Sequence, residues 1–74
     1  MEKIIINTEY IQLVQLLKML NYISSGGECK YFMNENKILI NNEIPFEKRK
    51  KIYDNFEVII NDKEYLIKSE IKKD

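Results

Sequence analysis

The apolar residues of this chain change their spacing once, and that change limits the fold more than any other feature. Tyr10, Leu13, Val14, Leu17 and Leu20 recur at the interval of an amphipathic helix, with Ile11 and Leu16 widening the same face. From residue 37 onward the apolar residues come in short runs, KILI, FEVII and EYLIKS, separated by asparagine and aspartate. Those runs read as strands and the breaks between them as turns. A further apolar run, KIII at 3–6, reads as a first strand. Helical spacing on one side and strand spacing on the other give an α+β domain, with a two-helix hairpin packed on a small, mainly antiparallel sheet.

The boundaries follow from local chemistry. Thr8 is placed to cap the first helix and Glu9 to face its positive end, so helix one is expected from about 9 to about 20. Residues 24–32 read SSGGECKYF, and the two glycines of the chain stand together here. Ser25 and Glu28 match a capping box, which starts a second helix at about 26. Cys29, Phe32 and Met33 form its apolar stripe to about 35, and Asn36 is expected to close it in the left-handed region. Asn41-Asn42 is a tight-turn pair, and Pro45 makes 43–46 an edge or a loop. Residues 51–53 are extended, Asp54-Asn55 turns the chain, and 61–63 is a hairpin turn. The last residues, 70–74, are polar and expected to fray.

Composition excludes several chemistries. At 74 residues the chain suggests one domain with a small core. It has no histidine, so a His general base or His metal site is ruled out, and the single cysteine forms no internal disulfide. Cys29 reads as a small buried apolar residue. No nucleophile–base set, metal cluster or phosphate loop is present, which points away from an enzyme and from any cofactor. The diglycine is internal, unlike that of sulfur carriers, which need it at the C-terminus. No apolar run is long enough to span a membrane, and with neither a signal peptide nor a disulfide framework the expected compartment is the cytoplasm.

The net charge is zero, but the charge is uneven. Residues 1–47 carry four lysines against six acids, a balance of −2, and residues 52–74 carry the same balance. Between them Lys48-Arg49-Lys50-Lys51 supplies +4, a third of the positive charge of the chain. Four cations in an extended segment can follow successive phosphates. The bland reading of such a run is a solvated loop. The start of helix two offers free N–H groups, and Gly26 and Gly27 would let a backbone come close, with Lys30 one turn in. Against this stands a simpler role for the glycines, a tight connection between helices. Tyr31 has a possible stacking role beside Lys30, although the edge of a small core is an ordinary place for a tyrosine.

In order along the chain, LLK at 16–18, SGG-x-x-K-x-F at 25–32, LIN-N-E at 39–43 and the basic run leading into KIY at 51–53 resemble one family. It is the RNA-binding domain typified by small-subunit ribosomal protein S-four, the alpha-L motif, in its short stand-alone bacterial form, the YaaA-like proteins. The resemblance covers roughly residues 8–69. Asn36, Asn41-Asn42 and Asn55-Phe56 stand where that family favours glycine-containing turns, and lysine stands where many relatives have arginine. The resemblance implies an RNA-facing surface made by helix two and the basic tract, and structured, possibly ribosomal, RNA as partner. The candidate contacts are Lys18, Ser25, Gly26, Gly27, Lys30, Lys48, Arg49, Lys50 and Lys51. The alternative is a protein-interaction module that kept the fold without RNA affinity, which zero net charge and a single arginine favour.

Overall fold

A computed structural model describes residues 1–71. Strand β1 (Glu2–Ile6) leads into a short β2 (Tyr10–Gln12) and helix α1 (Leu13–Met19). A 3-10 turn (Gly26–Glu28) runs directly into helix α2 (Cys29–Glu35). Strands β3 (Ile38–Ile40), β4 (Lys51–Tyr53), β5 (Glu57–Ile60) and β6 (Lys63–Ser69) complete the chain. Four strands form a mixed sheet in the order β1-β6-β5-β3, while β2 and β4 pair separately. Only the β1–β6 pair is parallel, with Ile4 opposite Ile67; the others are antiparallel. The α+β architecture is therefore as expected.

Alternation decides which side of the sheet is buried. Ile4 and Ile6, Ile38 and Ile40, Val58 and Ile60, and Tyr65 and Ile67 all face inward. Against them pack Leu13, Leu16 and Leu17 of α1, Ile11 and Ile52 of the β2–β4 pair, and Cys29. Tyr65 is buried, and Phe32 and Phe56 pack at the edge of the core. Tyr22 joins them there: its hydroxyl is 2.8 Å from that of Tyr65, and its ring meets Phe32. Cys29 is free and fully buried, which fits the apolar role.

The first helix is shorter than its periodicity suggests, and Thr8 does not cap it. Residues 10–12 are strand, with Ile11 opposite Ile52, so α1 begins at Leu13. Gln12 is the cap residue in extended geometry, and its N–H donates to Gln15 Oε1 at 2.9 Å. Tyr10 and Ile11 suit a strand as well as a helix, and a partner strand decided between them. Thr8 Oγ1 instead donates to the Tyr10 carbonyl at 2.8 Å.

Left-handed residues close the turns, but not all where expected. Asn36 is extended, at φ −134°. It ends α2 through its side chain, which donates to the Phe32 carbonyl at 3.0 Å. The left-handed helix cap belongs to α1: Asn21 has φ 65°, Tyr22 N–H donates to Leu17 O, and Asn21 N–H to Lys18 O. That is the paired bonding of a Schellman motif. Asn41 and Asn42 are both left-handed and make a two-residue turn, but the returning strand amounts to one bridge at Glu43 before Pro45. Asn55, at φ 68°, holds the turn at 54–56 in place of glycine. Of the expected tail 70–74, Glu70 is tied to the Ile6 carbonyl at 2.9 Å, and residues 72–74 lie outside the described residues.

Candidate nucleic-acid interface

The basic tract is anchored by its backbone. Lys48 is not in an extended run; a turn closes at 47–50, with Lys50 N–H donating to Glu47 O at 3.2 Å, and extension begins at Lys51. The Lys48 and Lys50 carbonyls accept from the N–H groups of Val14 (2.8 Å) and Leu13 (2.9 Å). Those donors belong to the first turn of α1, where no intrahelical partner exists. The tract thus caps α1 with its main chain, and Lys48, Arg49 and Lys50 are left with exposed side chains.

Val14 connects this tract to the glycine pair. A Cβ on Gly26 would lie 3.9 Å from Val14 Cγ2 and 4.0 Å from Lys18 Nζ. Gly26 therefore rests on α1 between the tract-bearing end and Lys18. The buried Cys29 thiol reports the same convergence. Burial pushes its pKa up, while Lys48 and Lys18 pull the other way. Lys18 and Lys48, thirty positions apart, thus both act on the thiol at the start of α2. Lys30 is exposed one turn further on. Lys51 diverges: its Nζ lies over the Tyr10 ring, 4.8 Å from the centroid, on a face where Tyr10, Tyr53 and Phe56 stack in series.

Neither glycine has a positive φ, and a Cβ on either would meet only ordinary van der Waals neighbours. A tight connection between helices does not need them. The capping box at Ser25 forms as expected. Glu28 Oε2 accepts from the N–H groups of Ser24 (2.6 Å) and Ser25 (2.8 Å), and these bonds hold its carboxyl below the ordinary glutamate range. The N–H donor of Ser25 is therefore already engaged by a carboxylate.

The ion pairs among the described residues, Lys63–Glu2 and Lys68–Asp54, use none of the candidate cations. A depression of about 780 Å³ between β1, β2 and α1 is lined by Glu9 and Glu70 and by no lysine, which suits an anion poorly. No group of three or more potential metal ligands occurs among the described residues. No helix among them is long and apolar enough to cross a membrane. The sequence reading missed Phe46. Its ring is 97% exposed and Ile44 is 71% exposed, both immediately before the tract. An aromatic residue next to a basic run, outside any apolar periodicity, was the available signal.

Helix α1, the glycine pair, the Asn41-Asn42 turn and the basic turn follow one another in that order along the chain. The chain belongs to the S4 domain family, whose model matches residues 4–68. Among individual proteins it is similar to the probable ribosome maturation protein RlbA of Bacillus subtilis (strain 168). The two are 42% identical over 48 residues, which is 65% of this chain and 68% of that protein. No solved structure matches the chain.

Proposed function

We propose that this protein is a small, non-catalytic, cytoplasmic RNA-binding module that grips the backbone of structured RNA, with ribosomal RNA as the foremost target. The observation that carries this reading is the docking of the Lys48–Lys50 turn on the first turn of α1, whose Val14, with Lys18, borders Gly26; Lys18, Lys48, Arg49 and Lys50 are exposed and take part in neither ion pair among the described residues. Membership of the S4 domain family and similarity to a protein named for ribosome maturation support the choice of RNA. In this reading α1, the glycine turn, α2 and β3 act as the alpha-L unit. Lys48, Arg49 and Lys50 hold phosphates as charges projecting from one turn, Lys18 and Lys30 extend the patch, and Lys51 adds charge at its margin. Ser25, Gly26 and Gly27 supply a close approach. Such contacts read backbone and shape more than sequence.

Binding to ribosomal RNA fragments across a salt series tests the proposal. Affinity should fall as salt rises, and Lys48→Ala combined with Lys50→Ala should make the slope shallower by about one unit per lost contact. Binding that is absent at low salt, or whose slope ignores these substitutions, would leave the protein-interaction reading in its place.

A further inference from the structure

Phe46 takes no part in the core or in the ring contacts among the described residues. Its ring is 97% exposed and packs on nothing. Yet the segment that carries it is fixed at both ends. Upstream, Ile40 and Glu43 exchange both backbone hydrogen bonds, at 2.8 and 3.0 Å, across the Asn41-Asn42 turn. Pro45 and Ile44 then line a hollow with Met33 of α2 and Asn36 just beyond its end. Downstream, the Lys48 carbonyl is held by Val14 N–H. The loop therefore passes the C-terminal end of α2 and holds Phe46 out into solvent between two anchors.

The surroundings define what could cover the ring. Lys48, Arg49 and Lys50 follow within four residues, all exposed. Residues two apart lie at most about 7 Å from one another along the chain. A nucleotide whose phosphate meets Lys48 can therefore bring its base over Phe46. Bases held within a continuous helix are stacked on their neighbours and offer no free face. An unpaired base does, and aromatic rings beside cations are the usual platform for one. An apolar protein surface would cover Phe46 as well, but would gain nothing from the cationic turn that follows.

We infer that Phe46 is a base-stacking residue, and that the RNA bound by the Lys48–Lys50 turn carries an unpaired nucleotide, a bulge or loop, at that point. This inference rests on the RNA-binding reading above and adds the structural class of the RNA. The cations hold the backbone and Phe46 takes the base.

The test compares a blunt RNA duplex with the same duplex bearing one bulged adenosine. The parent protein should prefer the bulged RNA. Phe46→Ala should weaken that complex by roughly fivefold or more, leave the blunt duplex within about twofold, and leave the salt slope unchanged. The chain contains no tryptophan, so Phe46→Trp introduces a single indole. Its fluorescence should be quenched by the bulged RNA and not by the blunt duplex. Unchanged thermal melting of both variants checks that the fold is intact. Salt-sensitive binding in which Phe46→Ala treats both RNAs as the parent does would overturn this inference alone. So would a variant that binds isolated RNA normally but no longer associates with ribosomal particles, since that marks a protein contact. Absence of RNA binding by the parent would overturn this inference together with the reading beneath it.

Discussion

Gly26 and Gly27 can be separated from the fold at the level of single residues. Neither uses a left-handed backbone, and neither is crowded. Alanine at either site should leave stability unchanged or raise it by about 0.4–1 kcal/mol, because it restricts the unfolded chain. If the glycines keep a path open for RNA, the same substitutions should weaken RNA binding. Thermal melts and a binding titration on each variant check both halves. Glu28 gives a pH signature. Its folded-state pKa is depressed by the Ser24 and Ser25 N–H groups, so the ionised form stabilises the turn. That contribution is present above the unfolded value, about 4.3, and is lost as pH falls through the lower folded value. Urea unfolding from about pH 7 to about pH 3 should show the parent losing stability relative to Glu28→Gln, with the gap closing at the acid end.

Among the elements, the β3–β5 ladder shows how asparagine serves at left-handed positions. Its three paired positions end at Asn41 and Asn61, both left-handed. Asn41 N–H donates to Glu57 O at 2.8 Å, and its Oδ1 accepts from Glu57 N–H at 2.9 Å. Asn61 repeats this with Lys37, at 2.7 and 3.1 Å. Each side-chain oxygen acts for a main-chain carbonyl that the left-handed turn has rotated away. Asn41→Gly should therefore cost no more than about 1 kcal/mol, the worth of one hydrogen bond. Asn41→Ala loses that bond and adds left-handed strain, for about 2 kcal/mol in total. Chemical denaturation of the two variants checks the order. The elements that sequence misjudged are those where a distant partner decided. Tyr10 and Ile11 lie on a helical stripe, yet residues 10–12 are strand, with Tyr10 opposite Tyr53, Ile11 opposite Ile52 and Gln12 opposite Lys51. Asn36 seemed the natural left-handed cap, but its side chain is shared between the Phe32 carbonyl and Asn61.

For the whole molecule, zero net charge is the sum of a cationic patch and an acidic remainder. In the proposed reading the patch gathers residues from α1, the glycine turn and the segment before β4. Because the turn at 48–50 is anchored through the Lys48 and Lys50 carbonyls, the side chains of Lys48, Arg49 and Lys50 stay exposed to solvent. Lys48→Ala and Lys50→Ala should accordingly leave unfolding free energy within about 0.5 kcal/mol of the parent, even as they flatten the salt dependence of binding. A drop in stability would mean that these side chains serve the fold.

Local physics made much of this protein readable from its residues. The change of apolar period, the Ser25–Glu28 box, the Asn41-Asn42 turn and the density of charge at 48–51 each involve neighbours along the chain, so their chemistry is written in order. The cut at Leu13, the docking of the tract on α1, the divergence of Lys51 onto Tyr10 and the outward aim of Phe46 were decided only in three dimensions. Each depends on groups tens of residues apart meeting across a packed core, and no spacing rule along a chain specifies which donor will find which distant acceptor.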